Sequence, residues 1–163
     1  MKILYFGGQK SGKSTHAEAK ALELSNSKPY YIATYDRSFD DSEMNTRVLK
    51  HQNQRKENFI TIEEPKNIAS KVEEGDTYLI DCISMWILNN IEKSEEDLIK
   101  QLDELKNIDA NIVFVLNDVN SGVIPFDKES RKFVDLTGII GQKLGNICDE
   151  VFEVKLGLTS RLK

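Results

Sequence analysis

The sequence predicts an α/β fold in which helices cover both faces of a mostly parallel sheet. Three observations lead to this class. Short apolar segments alternate with helical ones along 163 residues, the first apolar segment runs directly into the glycine-rich turn GGQKSGKST, and the chain ends in two short strands around Gly157. Strand–helix alternation is typical of parallel sheets, because parallel neighbours need a crossover connection. The closing pair predicts an antiparallel hairpin at one edge of the sheet.

The individual elements follow from residue type and spacing. The predicted strands are rich in apolar, aromatic or β-branched residues: KILYF (2–6), PYYIAT (29–34), FITIEE (59–64), TYLID (77–81), NIVFVL (111–116) and the two halves of EVFEVKLGLTSRLK (150–163). The predicted helices are KSTHAEAKALELS (13–25), SEMNTRVLKHQNQRK (42–56), PKNIASKVEE (65–74), ISMWILNNI (83–91), SEEDLIKQLDELK (94–106) and FDKESRKFVDLTGIIGQKLGNIC (126–148). Pro65 suits a first helical turn, and Ser94 with Asp97 has the spacing of a capping box. No repeat or linker divides residues 1–163, so we expect a single domain.

Composition excludes several classes of protein. A net charge of -5 argues against a broad nucleic-acid interface, and the apolar runs are far too short to span a bilayer. The N-terminal apolar stretch ends in glycines and lacks a signal-peptide cleavage site. Two cysteines form neither a disulfide framework nor a zinc pattern. We therefore expect a cytoplasmic protein.

The turn after the first strand carries a phosphate-binding motif. Gly7, Gly12, Lys13 and Ser14 match G-x-x-x-x-G-K-[ST] between a strand and a helix, which is the context that the pattern requires. Glycines let backbone N–H groups surround phosphate oxygens, and the helix N-terminus adds positive partial charge. The alternative is a glycine turn that matches by chance. The motif predicts a three-layer P-loop NTPase fold, with nucleotide bound by Gly7, Gly8, Gln9, Lys10, Ser11, Gly12, Lys13 and Ser14.

A P-loop also needs a carboxylate to help hold magnesium. Asp81 closes the strand TYLID and is the best candidate, acting with the Ser14 hydroxyl on a Mg²⁺ ion that the nucleotide also binds. The alternative for Asp81 is an N-cap of the next helix. Cys82 and Trp86, which follow it, are expected to pack in the core. These residues alone leave open a small-molecule kinase, a hydrolytic switch and a regulatory nucleotide-binding module.

Eight segments, taken in order, resemble one known family. They are GGQKSGKSTHAE, YIAT, RVLKHQNQR, TIEEP, LIDCISMWILNN, NDVNSGVIP, RKFVDLTGIIGQKL and DEVFEVKLGL. Together they are similar to the bifunctional adenosylcobinamide kinase/adenosylcobinamide-phosphate guanylyltransferases of cobalamin biosynthesis, from Ile3 to the C-terminus. The resemblance implies phosphorylation of adenosylcobinamide by a nucleoside triphosphate, ATP or GTP, followed by transfer of GMP from GTP to the product.

The family's covalent intermediate, a guanylyl-histidine, maps onto His51 in R47-V-L-K-H51-Q-N-Q-R55. Imidazole is partly unprotonated near neutral pH and forms a reactive phosphoramidate. By residue pattern alone, a histidine on a polar helix would more often be a solvated surface residue. His16 is the other histidine, and we expect it to pack or to face solvent, away from the phosphates that Ser14 contacts.

The resemblance also implies further contacts with the nucleotides. The matched positions are Ala33, Thr34, Tyr35, Gln52, Asn53, Gln54, Arg55, Glu63 and Asp81. Glu63 would accept from the guanine base, although Glu64 beside it makes the register ambiguous. Asn117 and Asp118 could contact the acceptor, or they could simply form a turn. The resemblance further implies a homo-oligomer, such as a trimer.

The chain departs from the family pattern at four matched positions. Asp118 replaces a usual glutamate, Asn120 a glycine, Gly141 an asparagine and Phe59 a tryptophan. None of them lies in the P-loop or at His51. The shorter reach of Asp118 and the lost polar group at Gly141 bear on the kinase step or on acceptor binding.

Overall fold

The computed structural model describes residues 1–36 and 57–163, and its strands form one seven-stranded sheet. The strands are β1 (Lys2–Gly7), β2 (Tyr30–Ala33), β3 (Ile60–Glu63), β4 (Thr77–Asp81), β5 (Asn111–Asn117), β6 (Glu150–Lys155) and β7 (Leu158–Arg161). They lie in the order β3-β2-β4-β5-β1-β6-β7, and all neighbouring pairs are parallel except the antiparallel pair β6–β7. The predicted α/β class with a C-terminal antiparallel hairpin is confirmed.

The described helices are α1 (Lys13–Leu24), α2 (Ile83–Asn89), α3 (Glu95–Asn107) and α4 (Lys128–Ile147). Each begins and ends within about two residues of its predicted bounds, which is the usual uncertainty of helix ends. The predicted helix over 42–56 lies outside the described residues. Among the described residues, none of the helices has both the length and the apolar character needed to cross a membrane.

The helix predicted over 65–74 is wrong. Only a short 3-10 helix, Ile68–Lys71, forms there. The Glu64 carboxylate accepts hydrogen bonds from the backbone N–H groups of Lys66 and Asn67, at 3.0 and 2.8 Å, and so holds this stretch in a turn. The chain is extended again at Val72. Ile68, Ala69 and Val72 are buried in a core of the protein, and this packing overrides the local helical preference of the segment.

Two cores lie on opposite faces of the sheet, because successive strand side chains point to opposite sides. On one face, α1 packs through Ala17 and Ala21 in the same core as Tyr5 of β1. On the other face, α2, α3 and α4 enclose a larger core that contains Leu4 of β1 and the fully buried Trp86. The result is a helix–sheet–helix arrangement of three layers.

α3 begins after Ser94, the N-cap residue of the predicted capping box, and the Asp97 carboxylate accepts from the Ser94 hydroxyl instead of its backbone N–H. The Ser94 hydroxyl accepts from the Asp97 backbone N–H at 3.2 Å and donates to the Asp97 carboxylate at 2.9 Å. Leu98, Leu102 and Leu105 of α3 are fully buried against the larger core. The cap thus starts the helix at the register that directs these leucines inward.

We expect Ser94→Ala to lower the free energy of unfolding by about 1 kcal/mol, because an N-terminal N–H of α3 loses its side-chain acceptor. Urea denaturation would measure this as a lower midpoint at an unchanged slope. Ser94→Asn retains an acceptor at the same position and serves as the control, with stability close to that of the wild type. An alanine variant as stable as the asparagine variant would contradict the capping role.

Candidate nucleotide-binding site

The predicted phosphate-binding loop lies at the carboxyl edge of the parallel sheet. It joins β1 to α1, and β1 lies between β5 and β6 near the middle of the sheet. Gly7 pairs with Asn117 of β5, and the Asp118 backbone N–H donates to the Gly7 carbonyl at 2.9 Å. Open α/β sheets bind ligands at this edge, so strand order alone places the loop where a ligand is expected.

Two glycines of the loop are required by local geometry. A Cβ added to Gly7 would lie 2.3 Å from the backbone carbonyl oxygen of Val154 in β6, closer than any real contact. Gly12 has a φ of 99° at the position just before α1, where a side chain would be strained. The motif's glycines therefore serve the close approach of two strands and the sharp entry into the helix.

The middle of the loop is exposed at Gly8, Gln9 and Lys10 and becomes half-buried at Ser11. The Ser11 backbone N–H donates to the Gly8 carbonyl at 3.3 Å, which closes the turn. The Ser11 hydroxyl is buried and has no hydrogen-bond partner in the described part of the chain. Buried polar atoms are nearly always paired, so this oxygen is suited to a ligand or to a water molecule.

Lys13 is buried at the start of α1, with 7% of its surface exposed. Its ammonium donates to the Gly8 carbonyl at 3.1 Å, which holds the side chain back over the loop. Burial lowers the pKa of Lys13 below its ordinary 10.5, and the negative charge of Asp81 partly opposes this shift. An ammonium held in a desolvated position beside a loop of N–H donors favours a phosphate oxygen as its partner.

Asp81 lies at the carboxyl end of β4, in electrostatic contact with Lys13. The Tyr31 hydroxyl donates to its carboxylate at 3.2 Å. The alternative role for Asp81 is not observed, because the capping position of α2 is occupied by Cys82. In residues 1–36 and 57–163, no cluster of three or more His, Cys, Asp or Glu residues forms a metal site. A hydroxyl at Ser14 and a carboxylate at Asp81 are hard oxygen donors, which suits a magnesium ion that takes its other ligands from phosphate and water.

The ends of β2 and β3 lie beside Asp81 in the same row of the sheet. Ala33 pairs with Asp81 on one side and with Glu63 on the other. The Thr34 hydroxyl is buried and used internally: it donates to the Cys82 carbonyl at 2.8 Å and accepts from the Cys82 N–H at 2.9 Å. The Tyr35 hydroxyl is buried, with no hydrogen-bond partner among the described residues. Register therefore brings these predicted contact residues to one edge.

The two adjacent glutamates after β3 have different environments. Glu64 accepts from two backbone N–H groups in the turn that follows. Glu63 ends β3 and is exposed at the carboxyl edge. The two carboxylates therefore differ in position, since Glu64 is engaged in the turn and Glu63 lies exposed at the edge. A contact of Glu63 with a base stays a prediction. The remaining predicted site residues lie outside the described residues: His51, Gln52, Asn53, Gln54 and Arg55.

The segment after β5 forms a turn. The Asp118 carboxylate accepts from the Asn120 backbone N–H at 3.1 Å and from the Ser121 hydroxyl at 2.7 Å. The Asn120 side chain donates to the Val134 carbonyl of α4 at 2.8 Å. The Asp118 carboxylate therefore stabilises this turn, and Asn120 connects the turn to α4.

The residues after Asp81 are part of the interior. Trp86 is fully buried, and its indole N–H donates to the Lys66 carbonyl at 3.0 Å. Cys82 is half-buried by exposed area. Desolvation, as the larger cause, and the negative charge of Asp81 together raise the pKa of the Cys82 thiol to about 12. The thiol therefore stays protonated and unreactive near neutral pH.

His16 makes a contact that sequence reasoning missed. Its Nε2 lies 2.9 Å from the carbonyl oxygen of Gly157, in the turn between β6 and β7. The two residues are 141 positions apart. No periodicity or spacing signals a contact at that separation, because only the pairing of β1 with β6 brings the hairpin beside the loop.

Comparison with known proteins agrees with this architecture. Residues 3–162 match the family model described as cobinamide kinase / cobinamide phosphate guanyltransferase. The chain is 34% identical to the bifunctional adenosylcobalamin biosynthesis protein CobP of Pseudomonas aeruginosa, covering 100% of this chain and 98% of that protein. It is 28% identical to CobU of Escherichia coli, with both chains fully covered. The solved structure of the flagellar accessory protein FlaH from Methanocaldococcus jannaschii is similar in fold, with a TM-score of 0.53 at 15% identity over 99% of this chain and 77% of that chain.

We expect Gly7→Ala to lower the free energy of unfolding by about 1 to 3 kcal/mol, because the new Cβ overlaps the Val154 carbonyl and one strand must shift. Gly8→Ala is the matched control for stability, since a Cβ there meets no atom within 4 Å. Thermal and urea unfolding of the two variants would measure the difference. Equal stability of both variants would contradict the close approach of β1 and β6.

We expect the affinity of the loop for GTP to fall at alkaline pH, because Lys13 loses its proton there. This loss should occur at a lower pH than it does for an ordinary lysine. Only the charged ammonium attracts phosphate, and burial lowers the pKa at which that charge is lost. Lys13→Arg keeps its charge throughout, so the ratio of wild-type to variant affinity should fall from neutral pH to about pH 10. Titration of the guanine base cancels in this ratio. A ratio independent of pH would contradict the lowered pKa.

Proposed function

Because the chain belongs to the cobinamide kinase / cobinamide phosphate guanyltransferase family, we propose that it performs both reactions on adenosylcobinamide. In the first, a nucleoside triphosphate, ATP or GTP, phosphorylates the cobinamide hydroxyl. In the second, GTP donates GMP to the resulting phosphate and gives adenosylcobinamide-GDP. The observation that carries the proposal is the buried Lys13 over a glycine loop beside Asp81, in a chain matched to the family from residue 3 to residue 162.

The nucleotide phosphates are bound by the loop between β1 and α1. Its backbone N–H groups and the N-terminal end of α1 attract the anion, and the ammonium of Lys13 neutralises charge on the terminal phosphates. The loop residues from Gly7 to Ser14 form this cradle. Phosphoryl transfer requires little covalent chemistry from the protein, so positioning and electrostatic stabilisation account for the kinase step.

Ser14 and Asp81 would hold a magnesium ion together with the nucleotide, and the ion supplies charge neutralisation at the phosphates. Ala33, Thr34, Tyr35 and Glu63 form the part of the same edge that extends toward the base. For Thr34 the described hydroxyl contacts are internal, so its contribution is to hold the end of β2 against Cys82. Glu63 would accept from the N1–H and amino group of guanine, which supports a preference for GTP.

GMP transfer proceeds through His51. A ring nitrogen attacks the α-phosphorus of GTP, a P–N bond forms, the bond to the β-phosphate oxygen breaks, and pyrophosphate leaves. An oxygen of the cobinamide phosphate then attacks the same phosphorus and releases the histidine. Gln52, Asn53, Gln54 and Arg55 follow His51 along the chain and contact the same nucleotide, with Arg55 suited to a phosphate. The match of RVLKHQNQR to the family supports these roles.

Residues 1–163 act as one domain, and the single sheet that contains all the described strands supports this. The chain works in the cytoplasm as a homo-oligomer, such as a trimer. The family resemblance supports the oligomer, and the relatives, which are named as biosynthetic proteins, support the location.

Incubation with GTP labelled at the α-phosphate, followed by denaturing electrophoresis, tests the covalent step. We expect label on the protein that is labile in acid and stable in base, as a phosphoramidate would be. His51→Ala should abolish it. His16→Ala is the matched control, because it removes the other histidine, and at saturating GTP it should still be labelled.

Two outcomes would contradict the proposal. Label that persists in His51→Ala would assign the intermediate to another residue. If the wild-type protein phosphorylates an acceptor but never acquires label, the protein would be a kinase that forms no guanylyl intermediate.

A further inference from the structure

We propose that His16 is a positioning residue for the nucleotide phosphates. Through the hairpin turn between β6 and β7, it holds one peptide group of the loop in the orientation that binds an anion. The inference deepens the proposed function and rests on it, because it concerns the nucleotide that both reactions use. It gives a role to the C-terminal hairpin, which the reaction chemistry itself does not require.

Two hydrogen bonds connect the hairpin turn to the segment from the loop to α1, one to Ser11 of the loop and one to His16 of α1. The Gly157 backbone N–H donates to the Ser11 carbonyl at 2.9 Å. The Gly157 carbonyl lies 2.9 Å from Nε2 of His16. A carbonyl oxygen can only accept, so Nε2 carries the proton and donates. Both backbone polar groups of Gly157 are therefore hydrogen-bonded, the N–H to Ser11 and the carbonyl to His16.

Three hydrogen bonds in series link the loop, the first turn of α1 and the hairpin turn. The His16 backbone N–H donates to the Gly12 carbonyl at 3.3 Å, which places the imidazole one turn after the loop. From there the side chain reaches Gly157, and Gly157 reaches back to Ser11. The loop, the helix and the hairpin are therefore coupled, and a shift of one alters the hydrogen bonds of the other two.

The orientation of the Ser11–Gly12 peptide decides what the loop offers to a ligand. In a trans peptide the C=O and N–H groups point in opposite directions. Since the Ser11 carbonyl is directed at Gly157, the Gly12 N–H is directed away from the hairpin. If this peptide rotated, a carbonyl oxygen would replace an N–H on the side of the loop opposite the hairpin and would repel an anion there. Anchoring the carbonyl thus favours phosphate binding.

The hairpin turn has little apolar packing to hold it in place. Leu156 in the turn is 89% exposed, and all four residues of β7 are exposed. The strand β6 is anchored by its pairing with β1, but the turn extends beyond that pairing. The bonds to Ser11 and His16 therefore contribute a large share of what keeps the turn on the loop.

His16→Ala should weaken binding of a fluorescent GTP analogue about threefold to tenfold, which corresponds to about 0.7 to 1.4 kcal/mol for one hydrogen bond. KM for GTP should rise by the same factor while kcat at saturating GTP is unchanged, because the His16 side chain contacts the hairpin turn and not the reacting atoms. Inorganic tripolyphosphate, which has no base, can be measured as a competitor of the GTP analogue. Its affinity should fall by the same factor.

Two further variants separate positioning from packing. His16→Gln carries a side-chain amide that can donate to the Gly157 carbonyl, so it should recover most of the lost affinity. Lys20→Ala is the matched control one turn further along α1, where the ammonium pairs with Glu23, and it should bind GTP like the wild type.

His16→Ala binding within twofold of the wild type would overturn the proposal. A glutamine variant that binds GTP as weakly as the alanine variant would also overturn it, because the loss would then be explained by packing and not by the hydrogen bond. Labelling of His51 is scored separately at saturating GTP. Failure of the His16 prediction with label retained would leave the proposed function intact, and absence of label with the His16 effect present would leave the positioning role intact.

Discussion

The site depends on the close packing of β1 between β5 and β6. Gly7 lies where β1 ends, so near to β6 that even a methyl group would overlap the Val154 carbonyl. On its other side the Asp118 N–H donates to the Gly7 carbonyl. The strand end is therefore held from both neighbours, and the loop leaves the sheet in a defined direction. Loop glycines then let the backbone turn, and α1 begins directly after it.

The electrostatics of the site follow from this position. The start of α1 is pressed against the sheet, so Lys13 is buried, and losing water disfavours its charged form. The charge of Asp81, brought to the same edge by the parallel order of β4 and β5, partly restores it. An ammonium that has already lost most of its water gives up little more solvation when a phosphate arrives. Burial and a neighbouring carboxylate together therefore prepare the lysine for an anionic ligand.

The C-terminal hairpin contributes to the site without providing a reacting group. Its first strand continues the sheet beside β1, and its turn lies against the loop. In this way the last residues of the chain stabilise the first functional ones. The turn after β5 has a similar stabilising role on the other side of β1. There Asp118 closes the turn, and Asn120 attaches it to α4. The departures from the family pattern at these two positions therefore have a structural account.

Local chemistry explains which features could be read from the sequence. The strands, four helices, the N-cap of α3 at Ser94 and the phosphate loop all depend on neighbours within a few residues, and their spacing predicts them. The helix expected over 65–74 was wrong because Ile68, Ala69 and Val72 pack into the larger core in a short 3-10 helix followed by extended chain, and this packing overrides the local helical preference. The prediction for His51 and the residues after it stays a prediction, since they lie outside the described residues.

The α/β class, the phosphate loop and its lysine can be predicted from the amino-acid order, because strand–helix alternation and glycine spacing are properties of adjacent residues. Three features arise only in the folded chain: the proximity of Asp81 to Lys13, the exposure of Glu63 at the sheet edge, and the contact of His16 with Gly157. The reason is strand order. Parallel pairing brings together strand ends that are far apart in the chain, and no local pattern encodes which ends become neighbours.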